Sequence, residues 1–193
     1  GPGTGKTTTV TRLLLVLQAL YQHKLHIKLA APTGKAAARM TESLQNALAF
    51  IEQQQPLSKE LLAAMPKTAE TIHRLLGVRP LTDDTRYHAQ NPLPIDLLVV
   101  DETSMIDLPM MAKLLSALKP NTRLILLGDQ DQLSSVEAGA VLGELAQFLR
   151  FDVTHAQADY LRQVSQVSLP SDNPHWLRDS LCHLKISRRF RDD

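Results

Sequence analysis

A single cysteine, Cys182, no excess of either charge sign and no long apolar run characterise this 193-residue chain. One thiol cannot close an internal disulfide and no signal sequence is legible, so the chain is expected to be soluble and cytoplasmic. Lys and Arg number 21 against 20 Asp and Glu, a net charge of +1. That balance excludes a generic polycation, and any contact with nucleic acid must come from placed groups. Internal repeats and heptad runs are absent, as is a carboxylate cluster of the kind a two-metal nuclease needs. With 44% hydrophobic residues the chain is long enough for one core and short for two.

Chemistry enters at the first residues. Gly1-Pro2-Gly3-Thr4-Gly5-Lys6-Thr7 follows a phosphate-binding loop, in which glycines turn backbone N–H groups toward phosphates and the next helix adds its positive dipole end. Gly3, Thr4, Gly5, Lys6, Thr7 and Thr8 are the candidate nucleotide contacts. Lys6 is placed to neutralise the β- and γ-phosphates of ATP, and the Thr7 hydroxyl is a candidate ligand for Mg²⁺. A glycine-rich turn that merely precedes a helix is the plainer alternative. The motif's first glycine would stand one position before Gly1, and no strand comes ahead of the loop. A first strand near the middle of the sheet is therefore expected to be missing, the 193 residues to be part of a longer chain, and the isolated piece to be unstable.

Beyond the loop, helical and extended patterns alternate. Residues 6 to about 22 carry leucines and valines at helical spacing, and Leu25 to Ala31 form a short buried strand. Thr33-Gly34 begins a helix running to about Glu52, the polar stretch 53–67 is a loop, and Thr71 to Leu76 make helical turns ended by Gly77. Residues 79–94 hold several prolines and polar groups, which predicts a surface loop or hairpin. Ile95 to Val100 is the strongest strand signal. Asp107 then caps a helix with Pro109 in its first turn, Arg123 to Leu127 is another strand, and Ala138 to Arg150 another helix. Strands separated by helices predict an α/β fold with a parallel sheet covered on both faces.

Such sheets bind ligands beyond the carboxyl ends of their strands. After Val100 come Asp101 and Glu102. Asp101 can hold Mg²⁺, and Glu102 can orient and deprotonate an attacking water; a solvated loop is the alternative. After Leu127 comes Gly128-Asp129-Gln130-Asp131-Gln132-Leu133, where Gln132 can hydrogen-bond a γ-phosphate or the lytic water. After Ala31 come Pro32, Thr33, Gly34 and Lys35. They fail as a second phosphate loop because Leu29 stands where a glycine is required, yet they suit a single phosphate, a nucleic-acid backbone being the natural candidate. A capped helix with an exposed Lys35 gives the same pattern.

The order Gly3-Thr4-Gly5-Lys6-Thr7, Ala31-Pro32-Thr33-Gly34-Lys35, Val99-Val100-Asp101-Glu102 and Leu127-Gly128-Asp129-Gln130-Asp131-Gln132 resembles the first four motifs of superfamily 1 helicases. Thr71 to Gly77, Ser135 to Gly143 and Asp101 to Asp107 are similar to the RecD branch, and Leu181 to Phe190 resembles its fourth motif. The resemblance implies a RecA-like motor domain over residues 1–193, with inserted loops at about 53–67 and 79–94 and a tail at 181–193 leading toward a second motor domain. It implies Lys6, Glu102, Gln132 and Arg189 as catalytic, Thr7 and Asp101 as metal ligands, and Pro32, Thr33, Gly34, Lys35 and His73 along a single-stranded DNA track. Arg188 stands where an aromatic residue is usual, and Arg188, Arg189 and Arg191 also fit a solvated basic cluster. His73 also fits a packed or surface histidine. Trp176 is expected in a core rather than as a base-stacking platform.

The family further implies an ATP-driven 5'-3' motor acting on single-stranded DNA from duplex ends. It works as a heterotrimer with the beta and gamma subunits of exodeoxyribonuclease V, in double-strand break repair and recombination. Another P-loop ATPase or small-molecule kinase, and a nucleotide- or partner-binding fragment without turnover, remain as rival readings.

Overall fold

The computed structural model describes residues 5–79, 84–129 and 140–184. In chain order the elements are α1 (Lys6–Leu20), β1 (Ile27–Ala31), α2 (Gly34–Gln54), α3 (Lys59–Ala64), β2 (Ala69–Thr71) and α4 (Ile72–Leu76). Then follow β3 (Leu97–Val100), a 3-10 turn at Thr103–Met105, α5 (Leu108–Ser116), β4 (Arg123–Leu126), α6 (Ala140–Ala146), a 3-10 turn at Gln147–Arg150, α7 (His155–Ser165) and a 3-10 turn at Trp176–Ser180.

The described strands form one parallel sheet in the order β2-β1-β3-β4. Every residue of β3 is fully buried, as a continuous apolar run in a two-sided parallel sheet must be. Its side chains alternate between two cores. Leu97 and Val99 join Leu14, Leu29, Met40 and Leu44 beneath α1 and α2, while Leu98 and Val100 join Ile72, Leu76, Met111 and Leu114 beneath α4 and α5. The α/β architecture with helices on both faces is thus the one the strand and helix periods predict.

Local chemistry explains where elements begin and end. Thr33 accepts from the Ala36 N–H at 3.2 Å, Thr71 from Arg74 at 3.2 Å and Asp107 from Met110 at 2.7 Å, each satisfying a donor that the first turn leaves open. Gly77, at φ 64°, closes α4 in the left-handed conformation. β1 starts at Ile27 rather than at Leu25 because Leu25 is taken by a side chain. Gln18, fully buried at the end of α1, accepts from the Leu25 N–H at 3.2 Å and donates to the Leu25 carbonyl at 2.9 Å. The same amide donates to the Ala64 carbonyl at 2.8 Å, tying in α3.

Several expectations need correction. The stretch 53–67 contains α3, whose Ser58 cap accepts from the Leu61 N–H at 3.2 Å. β2 is a strand that the sequence pattern does not predict; it is short and half-buried, and it exists as the edge partner of β1. The helix expected over 138–150 is α6 followed by a 3-10 turn, with 138 and 139 outside the described residues. Trp176 is 69% exposed, not in a core; its ring stacks 6.0 Å from His175 at the start of a 3-10 turn that buries nothing. The expectation of a loop or hairpin at 79–94 needs no correction: antiparallel bridges join Val78 to Thr85 and His88 to Asn91.

Candidate functional site

The helix that follows the phosphate loop differs from its neighbours at its N-terminus. α2, α3, α4, α5 and α7 are each capped by a Ser, Thr or Asp side chain, whereas α1 has Gly5 at its cap, at φ 76°, and no side-chain bond. The helix ladder begins with Thr9 N–H to the Gly5 carbonyl at 2.9 Å. The N–H groups of Lys6, Thr7 and Thr8 therefore come before the first intrahelical bond, at the positive end of the helix dipole. That arrangement suits an anion.

Lys6 reaches across to the end of β4, donating from Nζ to the Gly128 carbonyl at 3.3 Å. The ends of β3 and β4 are joined in turn by Thr103, which is 1% exposed. Its N–H donates to the Leu127 carbonyl at 2.9 Å, and its hydroxyl donates to the same oxygen at 2.7 Å. Just before it, Asp101 accepts from the Glu102 N–H at 2.8 Å, and Glu102 adopts φ 52°, ψ 39°. Left-handed backbone is uncommon for a side-chain-bearing residue and clusters at functional sites. Held so, the two acids of the pair leave β3 in a tight turn, stapled by Thr103 to the strand end that Lys6 touches.

Gly128 allows this convergence. A Cβ there would lie 2.3 Å from Leu142 Cδ2 and 3.5 Å from the Ser104 backbone nitrogen, so α6 and the turn after β3 both close on the bare glycine. Two neighbours besides Thr103 carry no signal in the sequence pattern. Asp129, beside Gly128, is 3% exposed, and the Ser104 hydroxyl is buried with no hydrogen-bond partner. All three fall inside stretches that carry the family resemblance, but their burial was not legible, because burial of a small polar side chain leaves no periodic trace.

The second set of predicted residues lies at the same end of the sheet. Ala31 pairs with Thr71 in the β1–β2 register, so Pro32, Thr33, Gly34 and Lys35 leave β1 beside the start of α4, which carries His73. Thr33, Gly34, Lys35 and His73 are exposed, with Thr33 Oγ1 engaged as the α2 cap. Across the sheet the strand ends therefore present, in order, His73, Thr33 with Lys35, Asp101 with Glu102, and Gly128 with Lys6. Gly3, Thr4, Gln132 and Arg189, with Arg188 and Arg191, lie outside the described residues. Among the described residues no group of His, Cys, Asp and Glu side chains forms an all-protein metal cage.

A parallel sheet with an uncapped glycine-loop helix and an acidic pair at its strand ends defines a nucleotide-binding P-loop domain. The chain belongs to the AAA domain family, whose model matches residues 1–138. Several proteins are similar to it in sequence. The RecBCD enzyme subunit RecD of Haemophilus influenzae is 63% identical over 194 aligned residues, covering 100% of this chain and 30% of that protein. The ATP-dependent RecD2 DNA helicase of Deinococcus radiodurans is 40% identical over 147 residues, covering 76% of this chain and 17% of that protein. The chain thus spans less than a third of the length of these relatives. Among solved structures, a Pif1 helicase on forked double-stranded DNA aligns at a TM-score of 0.37 and 23% identity, covering 76% of this chain and 32% of that one.

Proposed function

We propose that this chain is part of the first motor domain of an ATP-dependent 5'-3' DNA helicase, a subunit of an exodeoxyribonuclease V that processes duplex ends in break repair and recombination. The observation that carries the proposal is the uncapped N-terminus of α1, set beside Lys6 and facing the strand end that Thr103 ties to Asp101 and Glu102. Binding follows from the donors. Gly3, Thr4, Gly5 and the N–H groups of Lys6, Thr7 and Thr8 receive the phosphates, and ATP draws Lys6 Nζ from a neutral carbonyl to a charged oxygen, the stronger acceptor.

Hydrolysis requires a water held in line with the γ-phosphate, and Glu102 is the base that orients it and takes its proton. Glu102 stands in the left-handed turn directly after β3. Thr7 Oγ1 and an Asp101 oxygen are hard oxygen donors of the kind Mg²⁺ takes when it binds through one or two protein ligands and the substrate phosphates; the ion would supply charge neutralisation there. Gln132 would sense the γ-phosphate, and Arg189 would stabilise charge in the transition state. Thr33, Lys35 and His73, with Pro32 and Gly34 shaping the turn, form the single-strand track, in which phosphate contacts set position without reading sequence. The beta and gamma subunits complete the assembly, and the setting is cytoplasmic. Among the described residues no helix is long and apolar enough to cross a membrane.

Steady-state ATP hydrolysis by the complete gene product, with and without single-stranded DNA, tests the reading. Stimulation by DNA that disappears in Lys6→Ala is the expected result. A rate indifferent to DNA favours another P-loop ATPase or a kinase, and nucleotide binding without turnover favours a binding module.

A further inference from the structure

The opposite end of the sheet carries a feature the strand-end site does not use. Between the beginnings of β1 and β3, the segment before β2, α4 and the hairpin lies a cleft of about 610 Å³. Its floor is apolar, with Ile27, Met65 and Ile95 buried, and Tyr87 forms one wall. Its charged groups are mostly of one sign. Lys28 is paired with Glu70 at 3.0 Å, which leaves Lys67, Arg74 and Arg86, all exposed, without a carboxylate partner among the described residues. Arg86 lies 5.2 Å from the centre of the Tyr87 ring.

Uncompensated cations collected in one cleft are informative in a chain whose net charge is only +1. They come from separate stretches of chain and converge on the same space. Guanidinium and ammonium groups above an apolar, aromatic floor are the composition of a groove that tracks a nucleic-acid backbone. The edge strand beside the cleft is closed to strand addition by a peptide, because the Ala69 N–H donates to Thr41 Oγ1 at 2.8 Å beneath α2.

We infer that this cleft is a second, sequence-independent site for nucleic-acid phosphates, distinct from the single-strand track and reaching from the far end of the same sheet as far as Arg74 on α4. It rests on the helicase reading above. A motor that pulls one strand through the strand-end track leaves other phosphates nearby, either the duplex ahead or the displaced strand, and the cleft holds one of these.

The test compares wild-type complete gene product with Lys67→Ala/Arg74→Ala/Arg86→Ala on three probes: a short single strand that fills only the track, a long single strand, and a duplex with a short tail. Removing one cation that neutralises a phosphate flattens the dependence of log K on log salt by about 0.9 on duplex and about 0.7 on single strand. The triple variant is therefore expected to flatten it by about 3 on the tailed duplex or about 2 on the long single strand, while binding of the short strand and the ATP turnover it stimulates stay at wild-type level. Weaker binding of the tailed duplex identifies the duplex as the source, and weaker binding of the long single strand identifies the displaced strand. Arg74→Lys with Arg86→Lys keeps the charge and is expected to keep the slope. Unchanged affinity and slope on every probe overturn the inference, as does a variant that binds DNA normally but no longer co-purifies with partner subunits, which would make the cleft a protein interface. Failure of DNA to stimulate the wild type is a different result and overturns the helicase reading itself.

Discussion

Glu102 illustrates how much chemistry one backbone angle carries. It takes the left-handed conformation directly after Asp101, whose carboxylate accepts from the Glu102 N–H at 2.8 Å. Under the proposed division of labour, Glu102→Gln keeps the shape and removes the base. ATP hydrolysis should fall by about 10²- to 10⁴-fold with nucleotide affinity changed little, as single-turnover and equilibrium binding measurements would show. Ser104 behaves oppositely. Its buried hydroxyl has no partner, so Ser104→Ala removes a desolvated polar atom and should leave the thermal midpoint unchanged or raise stability by up to about 1 kcal/mol. A clear drop in the midpoint would show that the hydroxyl makes a bond the static structure lacks. The acids were legible from sequence because their spacing after an apolar strand is a pattern; Thr103, Ser104 and Asp129 were not, because their burial depends on β4 and α6 closing over them.

At the level of elements, side chains decide boundaries that periodicity leaves open. Gln18 joins the end of α1 to the approach to β1 and to α3 through three hydrogen bonds, all away from solvent or nearly so. Gln18→Leu, close in size, strands those backbone groups and should cost about 2 to 4 kcal/mol, read as a lower unfolding midpoint. Gly128 is the corresponding point at the strand ends. With the Leu142 Cδ2 methyl standing where a Cβ would go, Gly128→Val forces that side chain of α6 to repack and should cost about 1 kcal/mol. A variant with wild-type midpoint would show that Leu142 simply rotates aside. The caps at Thr33, Thr71 and Asp107 were readable in sequence, since an N-cap is a local contract between one side chain and an N–H three residues on. β2 and α3 were not, because a short half-buried strand and a helix that buries no residue carry too little apolar pattern to register.

For the whole molecule, the sheet is unequal at its two edges. β2 is covered by α2 and has one N–H satisfied by Thr41, whereas β4 has no strand on its outer side among the described residues, and Leu124, Ile125, Leu126 and Leu127 are only half-buried. An apolar strand with an open edge is a template for association. The 193-residue polypeptide is therefore expected to aggregate or to melt without a cooperative transition. A sharp reversible melt of a monomer would contradict this. The sequence by itself determined the parallel α/β class, the phosphate loop, the acidic pair and the strand-end series, because each is set by residues close together in the chain: a period of apolar side chains, a glycine turn, a cap. Tertiary structure alone decided which strand lies beside which, that Trp176 faces solvent, that Lys6 meets Gly128, and that Lys67, Arg74 and Arg86 share one cleft. Those relations join residues far apart along the chain, and only packing of the sheet and its helices brings them within reach of one another.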